Sequence, residues 1–564
     1  MKFFDEMPFK PVIIECIRNY NKQLFFKDLM SGIIVGIVAL PLAIAFGIAS
    51  GVTPEKGITT AIIAGFLVSF FGGSKVQVSG PTGAFIVIVY GIVERFGVQG
   101  LAIATFMAGI ILILMGVFKI GTIIRFIPYP IIIGFTSGIA LTIFTTQIKD
   151  FFGLQMDKVP GSFIEKWIAY AHHFYTINFW PLGIGILTIL LIILIPRISP
   201  KIPSSLIAIV LMTVAAYVLR NNFGIVGIET IGDRFQIHAQ LPQAQEIGLS
   251  FDKMSLLLSA AFTIAILGAI ESLLSATVAD GVTGDKHDSN TELIGQGIAN
   301  VIVPFFGGIP ATGAIARTMT NINNGGKTPI SGIIHAGVLL LILLFLGDLS
   351  KHIPMACLAG ILVVVAYNMS EWRTFRSLLR NQKADVSVLL TTFFLTVIFD
   401  LTIAIEIGLL LAVIMFIRRI SETSGISVLT EIADPLTEYD PTLDIRNITI
   451  PDGVEVYEID GPFFFGVANT FEEQMKIIGD KPKIRIIRMR KVPFIDSTGL
   501  HNLESFIKSS QKEKIHIILS GVNEKVRNSL EKSNIANAIG EENICPTIHV
   551  AMATANEYLL KNPS

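Results

Sequence analysis

Charged residues and cysteines are both scarce in this sequence. Asp, Glu, Lys and Arg make up 15% of the 564 residues and apolar residues make up 52%, whereas soluble domains carry about 25% charged residues. The three cysteines, Cys16, Cys357 and Cys545, are too widely separated to indicate a disulfide framework or a cysteine-based metal site. The motifs HExxH, CxxC and GxxxxGK[ST] do not occur. These absences argue against a soluble protein, a zinc enzyme and an ATP-driven machine.

Long stretches of the first 420 residues contain no charged side chain at all. A helix needs about 20 apolar residues to cross the hydrocarbon core of a bilayer, and most of these stretches reach that length. The uncharged stretches are residues 29–54, 57–74, 76–93, 96–118, 126–148, 167–196, 202–219, 254–270, 293–316, 328–347, 353–370, 386–399 and 407–417. The sequence therefore predicts a polytopic α-helical membrane protein with roughly 12 or more membrane elements.

Basic residues beside the apolar stretches predict the orientation of the chain. Residues 1–27 mix acidic and basic side chains and lack the apolar core of a signal peptide. Lys22 and Lys27 directly precede the first span, and Arg418 and Arg419 directly follow the last one. The positive-inside rule therefore places both termini in the cytoplasm.

The composition changes after about residue 430, where charges become frequent. Apolar, strand-like runs at 454–459, 484–489 and 515–519 alternate with helical patterns at 469–478, 498–509 and 524–533. Such alternation is typical of a small α/β domain. We expect four parts: a cytoplasmic segment at 1–27, a membrane domain at 28–420, a linker at 421–450 and an α/β domain at 451–564.

Two segments of the membrane part resemble each other. The sequence FFGG at 70–73 precedes PTGA at 81–84, and FFGG at 305–308 precedes Pro310 and TGA at 312–314. Chance can produce so short a match. However, each copy follows one apolar span and lies at the start of the next, and this shared placement favours a repeat. Inverted repeats whose spans are interrupted by Gly and Pro mark the midplane site of secondary transporters. Helices that begin inside the membrane turn unpaired N–H groups and their positive ends towards an anion.

Three ionisable residues stand out in the membrane spans, where charge is costly and usually functional. Glu271 interrupts an apolar helix, and Arg317 lies about one turn into the second interrupted span. Glu406 lies close to the start of the last span and is interpreted as interfacial. A carboxylate at this depth can carry a proton, and a guanidinium can bind an oxyanion. Alternatively, a neighbour satisfies Glu271, and Arg317 is a clamp on that carboxylate. His335 also lies in an apolar stretch, where a satisfied core histidine is more common than a proton relay.

Several stretches resemble the SulP (sulfate permease) family of anion transporters. They are ALPLAIAF at 39–46, VSGPTG at 78–83, ELIGQGIAN at 292–300 and GGIPATGAIART at 307–318. FIDSTGL at 494–500 resembles a loop of the family's cytoplasmic STAS domain, so the resemblance covers roughly residues 25–560. Within the family, GFTSGI at 134–139, QIKDF at 147–151 and AYNMSE at 366–371 are most similar to bacterial aerobic C4-dicarboxylate transporters.

The resemblance implies a fold and a binding site. The fold would have fourteen membrane segments as two inverted repeats of seven, with a core domain that moves against a gate domain, plus a cytoplasmic α/β STAS domain. A homodimer in the cytoplasmic (inner) membrane of a bacterium is also implied. Glu271 would carry the proton. The residues implied to bind the anion are Leu42, Phe46, Thr82, Gly83, Ala84, Phe85, Gly313, Ala314, Ile315, Ala316 and Arg317.

The resemblance and the ionisable residues together predict a secondary active transporter. It would take up C4-dicarboxylates (succinate, fumarate, aspartate) with protons by alternating access. Sodium-coupled bicarbonate members tend to carry Asp in place of Glu271 and a small residue in place of Arg317, which favours proton coupling here. The alternatives are proton-coupled sulfate transport, sodium-coupled bicarbonate transport, an anion channel, and a non-transporting sensor that signals through the STAS domain.

No nucleophile–base pair or metal constellation is evident, so we expect neither an enzyme nor a cofactor, metal or nucleic-acid partner. Ser497 lies at the predicted start of a helix in the tail. In related regulatory proteins the serine at this position is phosphorylated, and a helix dipole tolerates a phosphate there. The alternative is that Ser497 and Thr498 only cap the helix. The resemblance thus implies a regulatory phosphosite at Ser497, and this domain could bind a cytoplasmic protein.

Overall fold

A computed structural model gives the architecture of the chain. It describes residues 9–18, 20–122, 128–156, 159–198, 203–235, 240–248, 250–399, 401–423, 425–429, 450–465 and 482–561. The chain divides into two compact units, Met1–Ala412 and Val413–Ser564. The first unit is helical, and the second is built around a five-stranded sheet.

Six helices supply the first seven membrane segments. They are α1 (Lys22–Ala49), α2 (Pro54–Phe71), α3 (Phe85–Val117), α4 (Tyr129–Phe152), α5 (Phe179–Ile198) and α6 (Ser204–Asn221). α3 provides two segments, because Gly97 in its middle has a φ of 70° and a ψ of −178°, a conformation that glycine adopts without strain. A two-residue strand, β1 (Ser79–Gly80), precedes α3.

Seven helices supply the second set of segments, and the strand β2 (Thr312–Gly313) precedes the third of them. The helices are α7 (Phe251–Thr283), α8 (Ser289–Ile302), α9 (Ile315–Asn323), α10 (Ile330–Leu346), α11 (Met355–Met369), α12 (Lys383–Ile398) and α13 (Leu401–Thr423). Among the described residues, eight helical segments are long and apolar enough to cross a membrane. Others, such as the nine-residue α9, are too short to span it alone.

The packing of the first set of helices is repeated in the second set. α3 contacts α7 and α8, while α10, the counterpart of the second half of α3, contacts α1 and α2. Likewise α4 contacts α12, while its counterpart α11 contacts α5. The contacts define a core group (α1–α3 with α7–α10) and a gate group (α4–α6 with α11 and α12). The predicted polytopic fold of two seven-segment repeats is confirmed.

The second unit is an α/β domain. Its sheet has the order β3 (Gly425–Leu429), β4 (Val454–Asp460), β5 (Ile484–Lys491), β6 (His516–Ser520) and β7 (Ile544–Cys545). β3 pairs antiparallel with β4, and the other pairs are parallel. α14 (Ser497–Lys512), α15 (Glu524–Lys532) and α16 (Ile535–Ile539) pack on one apolar face, and α17 (Ile548–Lys561) packs on the other.

The structure and the sequence differ at the junction between the two parts. The strand-like runs at 454–459, 484–489 and 515–519 correspond to β4, β5 and β6. β3, however, lies inside the segment 421–450 that we predicted to be a linker. The sequence did not indicate this strand, because its formation depends on backbone pairing with β4 rather than on a local residue pattern. The predicted helical pattern at 469–478 lies outside the described residues.

Candidate functional site

Two short strands meet in the core group, and a membrane helix follows each of them. Ser79 pairs with Gly313 and Gly80 pairs with Thr312 in an antiparallel arrangement. α3 follows β1, and α9 follows β2. The two interrupted spans found in the sequence therefore do meet, and the antiparallel pairing makes their helix starts approach each other from opposite sides.

The start of α9 leaves backbone donors outside the helical hydrogen bonding. The first hydrogen bond into the helix runs from the Thr318 N–H to the Ala314 carbonyl, at 2.9 Å. The N–H groups of Ile315, Ala316 and Arg317 precede it and have no partner within the helix. The side chains of Ile315 and Ala316 are exposed. The first turn of this helix, which carries its positive end, therefore bears two exposed side chains.

The start of α3 is more enclosed. Gly83, Ala84 and Phe85 are buried, and Thr82 is half-buried. A Cβ on Gly83 would lie 2.7 Å from the Met369 Sδ of α11, so the glycine lets the gate group approach this turn closely. The predicted binding residues of the first repeat thus lie where the core and gate groups touch.

Two consecutive residues of α7 hold both helix starts. The Thr82 hydroxyl donates a hydrogen bond to Glu271 Oε2 at 2.8 Å. Ser272 Oγ accepts from the Gly313 N–H at 3.0 Å and lies 2.8 Å from Thr312 Oγ1. Ser272 is fully buried, while Glu271 is only half-buried. The Glu271 carboxylate is therefore beside the first helix start.

Arg317 is turned into the core group and holds the first strand. Its side chain is 1% exposed, and its guanidinium donates to the carbonyls of Ser79 at 3.4 Å and Pro81 at 2.5 Å. A Cβ on Gly80, whose φ is +156°, would lie 2.1 Å from Arg317 Nη1. Because the extended strand turns carbonyl oxygens towards α9, the guanidinium binds them and not Glu271. The alternative that Arg317 clamps the Glu271 carboxylate is wrong.

The other two predicted binding residues lie on α1. Phe46 is buried and Leu42 is half-buried, and both belong to the apolar core that also contains Phe85 and Met369. They supply an apolar wall beside the helix starts rather than hydrogen-bonding groups.

Glu292 of α8 is a buried carboxylate that the search for residues at membrane depth missed. It is fully buried and accepts hydrogen bonds from the Gly73 N–H at 2.9 Å and the Ser74 N–H at 3.1 Å. The side-chain amides of Gln77 and Gln296 donate to its other oxygen, at 2.9 and 3.2 Å. Glu292 thereby anchors the segment that leads into β1. The sequence feature that could have indicated its burial is its position directly before the uncharged stretch 293–316.

Asp28 of α1 anchors the segment that follows α9. It is fully buried and accepts from the N–H groups of Lys327 and Thr328 at 2.8 and 3.2 Å, and from the Thr328 hydroxyl at 2.5 Å. The Tyr20 hydroxyl donates to the same carboxylate at 3.2 Å. Burial and the Asp28 charge raise the pKa of Tyr20 to about 12, so the hydroxyl keeps its proton well into the alkaline range. Two buried carboxylates therefore fix the chain on either side of the crossing strands.

One further sequence-based interpretation needs correction, and it concerns Ser497. His335 is fully buried, and neither of its ring nitrogens has a hydrogen-bond partner among the described residues. In the second unit, α14 is capped by Asp496, whose carboxylate accepts from the Gly499 N–H at 2.7 Å. Ser497 is the exposed first residue of α14 and does not cap it, because Asp496 already does.

A cavity of about 520 Å³ separates the core and gate groups at the end of α1 that is remote from the N-terminus. Tyr90, Lys149, Lys166 and Arg234 are among the residues that line it. Across the described ranges, no cluster of three or more His, Cys, Asp or Glu residues could hold a metal ion.

A polytopic helical unit with two half-helices that meet inside it, joined to an α/β domain, is the architecture of a membrane transporter with an additional C-terminal domain. The sulfate permease family model matches residues 25–392, and the STAS domain model matches residues 446–551. The chain belongs to the sulfate permease family and is an anion transporter with a STAS domain, not an enzyme.

Relatives cover nearly the whole chain. YvdB of Bacillus subtilis (strain 168), named as a candidate sulfate transporter, is 43% identical over 527 residues, which is 93% of this chain and 97% of YvdB. The bicarbonate transporter BicA of Picosynechococcus sp. (strain ATCC 27264 / PCC 7002 / PR-6) is 30% identical over 524 residues, 90% of each chain. The predicted likeness to C4-dicarboxylate transporters is not shown by these relatives and stays a prediction.

Solved structures share the fold. The transmembrane domain of a cyanobacterial bicarbonate transporter BicA superposes with a TM-score of 0.61 at 31% identity, covering 70% of this chain and 98% of that one. Murine Slc26a9 in the inward-facing state gives a TM-score of 0.87 at 19% identity, covering 99% and 95% of the two chains. The second likeness concerns the fold alone.

Proposed function

We propose that the protein is a proton-coupled secondary transporter that takes up a small oxyanion by alternating access. The observation that carries this proposal is the position of Glu271, a carboxylate on a membrane helix that is hydrogen-bonded to Thr82 at the start of one half-helix. At the start of α9, the N–H groups of Ile315 and Ala316 precede the first hydrogen bond of the helix and are suited to the anion.

The hydrogen bond between Thr82 and Glu271 supports coupling to protons. An ionised Glu271 holds the single hydroxyl proton of Thr82 and repels an anion at the neighbouring helix start. Protonation removes the repulsion and frees the hydroxyl to turn towards the anion. Proton and anion then favour each other's binding, as linked equilibria require.

Sulfate is the first candidate substrate, because a relative that is 43% identical is named as a candidate sulfate transporter. C4-dicarboxylates are the second candidate, because residues 134–139, 147–151 and 366–371 resemble transporters of succinate, fumarate and aspartate. Bicarbonate, with sodium as the coupling ion, is the third and is suggested by the likeness to BicA. Arg317, a buried positive charge at the crossing strands, makes a sodium site there less favourable.

Counterflow of labelled sulfate, succinate, aspartate and bicarbonate into proteoliposomes tests the substrate. We expect one oxyanion to exchange well above empty liposomes and to compete with the others. Glu271→Gln should keep counterflow of that anion but lose the acceleration by an inward proton gradient, because glutamine imitates the protonated acid. Glu557→Gln is the matched control, since that side chain is 66% exposed on α17. Currents far above carrier turnover would indicate a channel, and binding without exchange would indicate a sensor.

The remaining predictions concern the assembly. We propose a homodimer in a bacterial cytoplasmic membrane, with both termini in the cytoplasm, where basic residues flank the first and last spans. The transport domain would span 28–420 and the STAS domain 451–564, with the linker shortened by β3. Exposed Ser497 at the start of α14 would be the regulatory phosphosite, and a cytoplasmic protein would be the partner of this domain.

A further inference from the structure

His335 of α10 and Ser69 of α2 face each other deep in the core group with unused hydrogen-bonding capacity. Both residues are buried, His335 completely and Ser69 at 3% exposure. Neither His335 Nδ1, His335 Nε2 nor Ser69 Oγ has a hydrogen-bond partner among the described residues. The imidazole interacts with the Gly332 carbonyl one turn earlier without the geometry of a hydrogen bond. Three polar atoms in one apolar interior are therefore unsatisfied.

Two glycines bring these groups together. A Cβ on Gly332, one turn before His335, would lie 2.1 Å from Ser69 Oγ. A Cβ on Gly65, one turn before Ser69, would lie 3.1 Å from His335 Nδ1 and 3.5 Å from the Ser79 carbonyl oxygen. The matching contacts place the serine, the imidazole and the backbone leading into β1, including the carbonyls of Gln77 and Ser79, close to one another.

The chemistry of this pocket selects its ligand. A neutral imidazole presents one donor and one acceptor, a serine hydroxyl presents both, and a carbonyl accepts. The charge of Arg317, whose Nη1 already donates to the Ser79 carbonyl at 3.4 Å, acts on the imidazole and disfavours a second cation there. A ligand that both donates and accepts, and that needs two to four polar partners, fits these groups. Water has those properties.

We propose that Ser69, His335 and the backbone of residues 77–79 bind an internal water molecule that is part of the folded core group. Buried polar groups without partners are rare in native proteins, and an ordered water commonly satisfies them. The water would link α2 and α10 to the strand that carries the first helix start. The inference concerns the core group itself and does not depend on which anion is transported.

A structure of the full-length protein in lipid nanodiscs, at a resolution that shows ordered water, tests the proposal directly. We expect a peak within about 2.7–3.2 Å of both Ser69 Oγ and a ring nitrogen of His335. A direct hydrogen bond between the two side chains would overturn the proposal. So would the absence of such a peak in a map that shows other buried waters.

A double-mutant cycle measured by Tm is a second test of the same water site. Ser69→Ala and His335→Phe should each lower Tm, and the double variant should lower it by less than the sum, because both partners of the water are then gone. Thr392→Ala is the matched control, since Thr392 Oγ1 is also buried without a partner among the described residues but lies on α12 of the gate group. The loss of Tm in Thr392→Ala should add to the loss in His335→Phe. If the losses in Ser69→Ala and His335→Phe are additive as well, the two residues do not share a water.

Discussion

Thr82 and Glu271 are the pair of residues on which the proposed proton coupling depends. Coupling between two sites typically changes affinity about 5–150-fold, and here it would act through the hydroxyl that donates to Glu271 at 2.8 Å. Thr82→Val keeps the shape of the side chain and removes the hydroxyl, so we expect weaker anion binding at acid pH and a smaller pH dependence of affinity, of which the part due to repulsion by ionised Glu271 remains. Thr82→Ser should keep both. Anion affinity measured across pH on the three proteins decides this, and an unchanged pH dependence in Thr82→Val would contradict it.

Gly80 is required at the crossing strands because Arg317 occupies the place of any side chain there. With a φ of +156° and Arg317 Nη1 at 2.1 Å from an added Cβ, Gly80→Ala must displace either the guanidinium or the strand. We expect a clear loss of uptake and a lower Tm. Gly91→Ala is the control on α3, because nothing lies within 4 Å of its added Cβ. In a helix, alanine is more stable than glycine by about 0.5–1 kcal/mol, so Gly91→Ala should keep its activity. Equal tolerance of the two substitutions would contradict the packing described.

Glu292 acts on a whole element, because it anchors the segment between α2 and β1. Its carboxylate receives two backbone N–H groups and two side-chain amides. Glu292→Gln replaces an acceptor oxygen with an NH₂ group and should destabilise the core group by about 1–3 kcal/mol. Denaturation in detergent measures the change, with Glu557→Gln as the exposed control. A stability equal to that of the parent would show that the anchor is dispensable.

The membrane helices were largely predictable from the sequence, because uncharged apolar runs of about 20 residues are the length that a helix needs to cross a bilayer. The meeting of the two interrupted spans was predictable too, since FFGG and the following small residues recur at 70–84 and 305–314. The β1–β2 pairing that joins them was not predictable, because two-residue strands have no periodicity.

The orientation of Arg317 and the isolation of His335 could not be derived from sequence either. Both depend on contacts between residues more than 200 positions apart, such as Arg317 with Pro81 and Gly65 with His335. Sequence spacing indicates which residues share a helix, but it does not indicate the backbone carbonyl to which a buried guanidinium donates a hydrogen bond. Glu292 was missed for a related reason, since its partners at 73–77 lie in a different repeat.

For the whole molecule, the scarcity of charge is part of the proposed mechanism. The anion would be held by helix starts and a hydroxyl rather than by an exposed basic side chain, because Arg317 is committed to the backbone. A site of neutral donors binds an anion weakly enough to release it. Protonation of Glu271 would strengthen anion binding, and loss of the proton would weaken it.

Substrate-driven proton movement is the most direct test of proton-coupled transport. Purified protein is reconstituted into liposomes that contain a pH-sensitive dye, and the anion identified by counterflow is added outside without a pre-formed pH gradient. The account predicts acidification of the lumen that follows anion uptake, that is absent in Glu271→Gln and that does not require sodium. Anion uptake that depends on sodium and leaves the internal pH unchanged would contradict it.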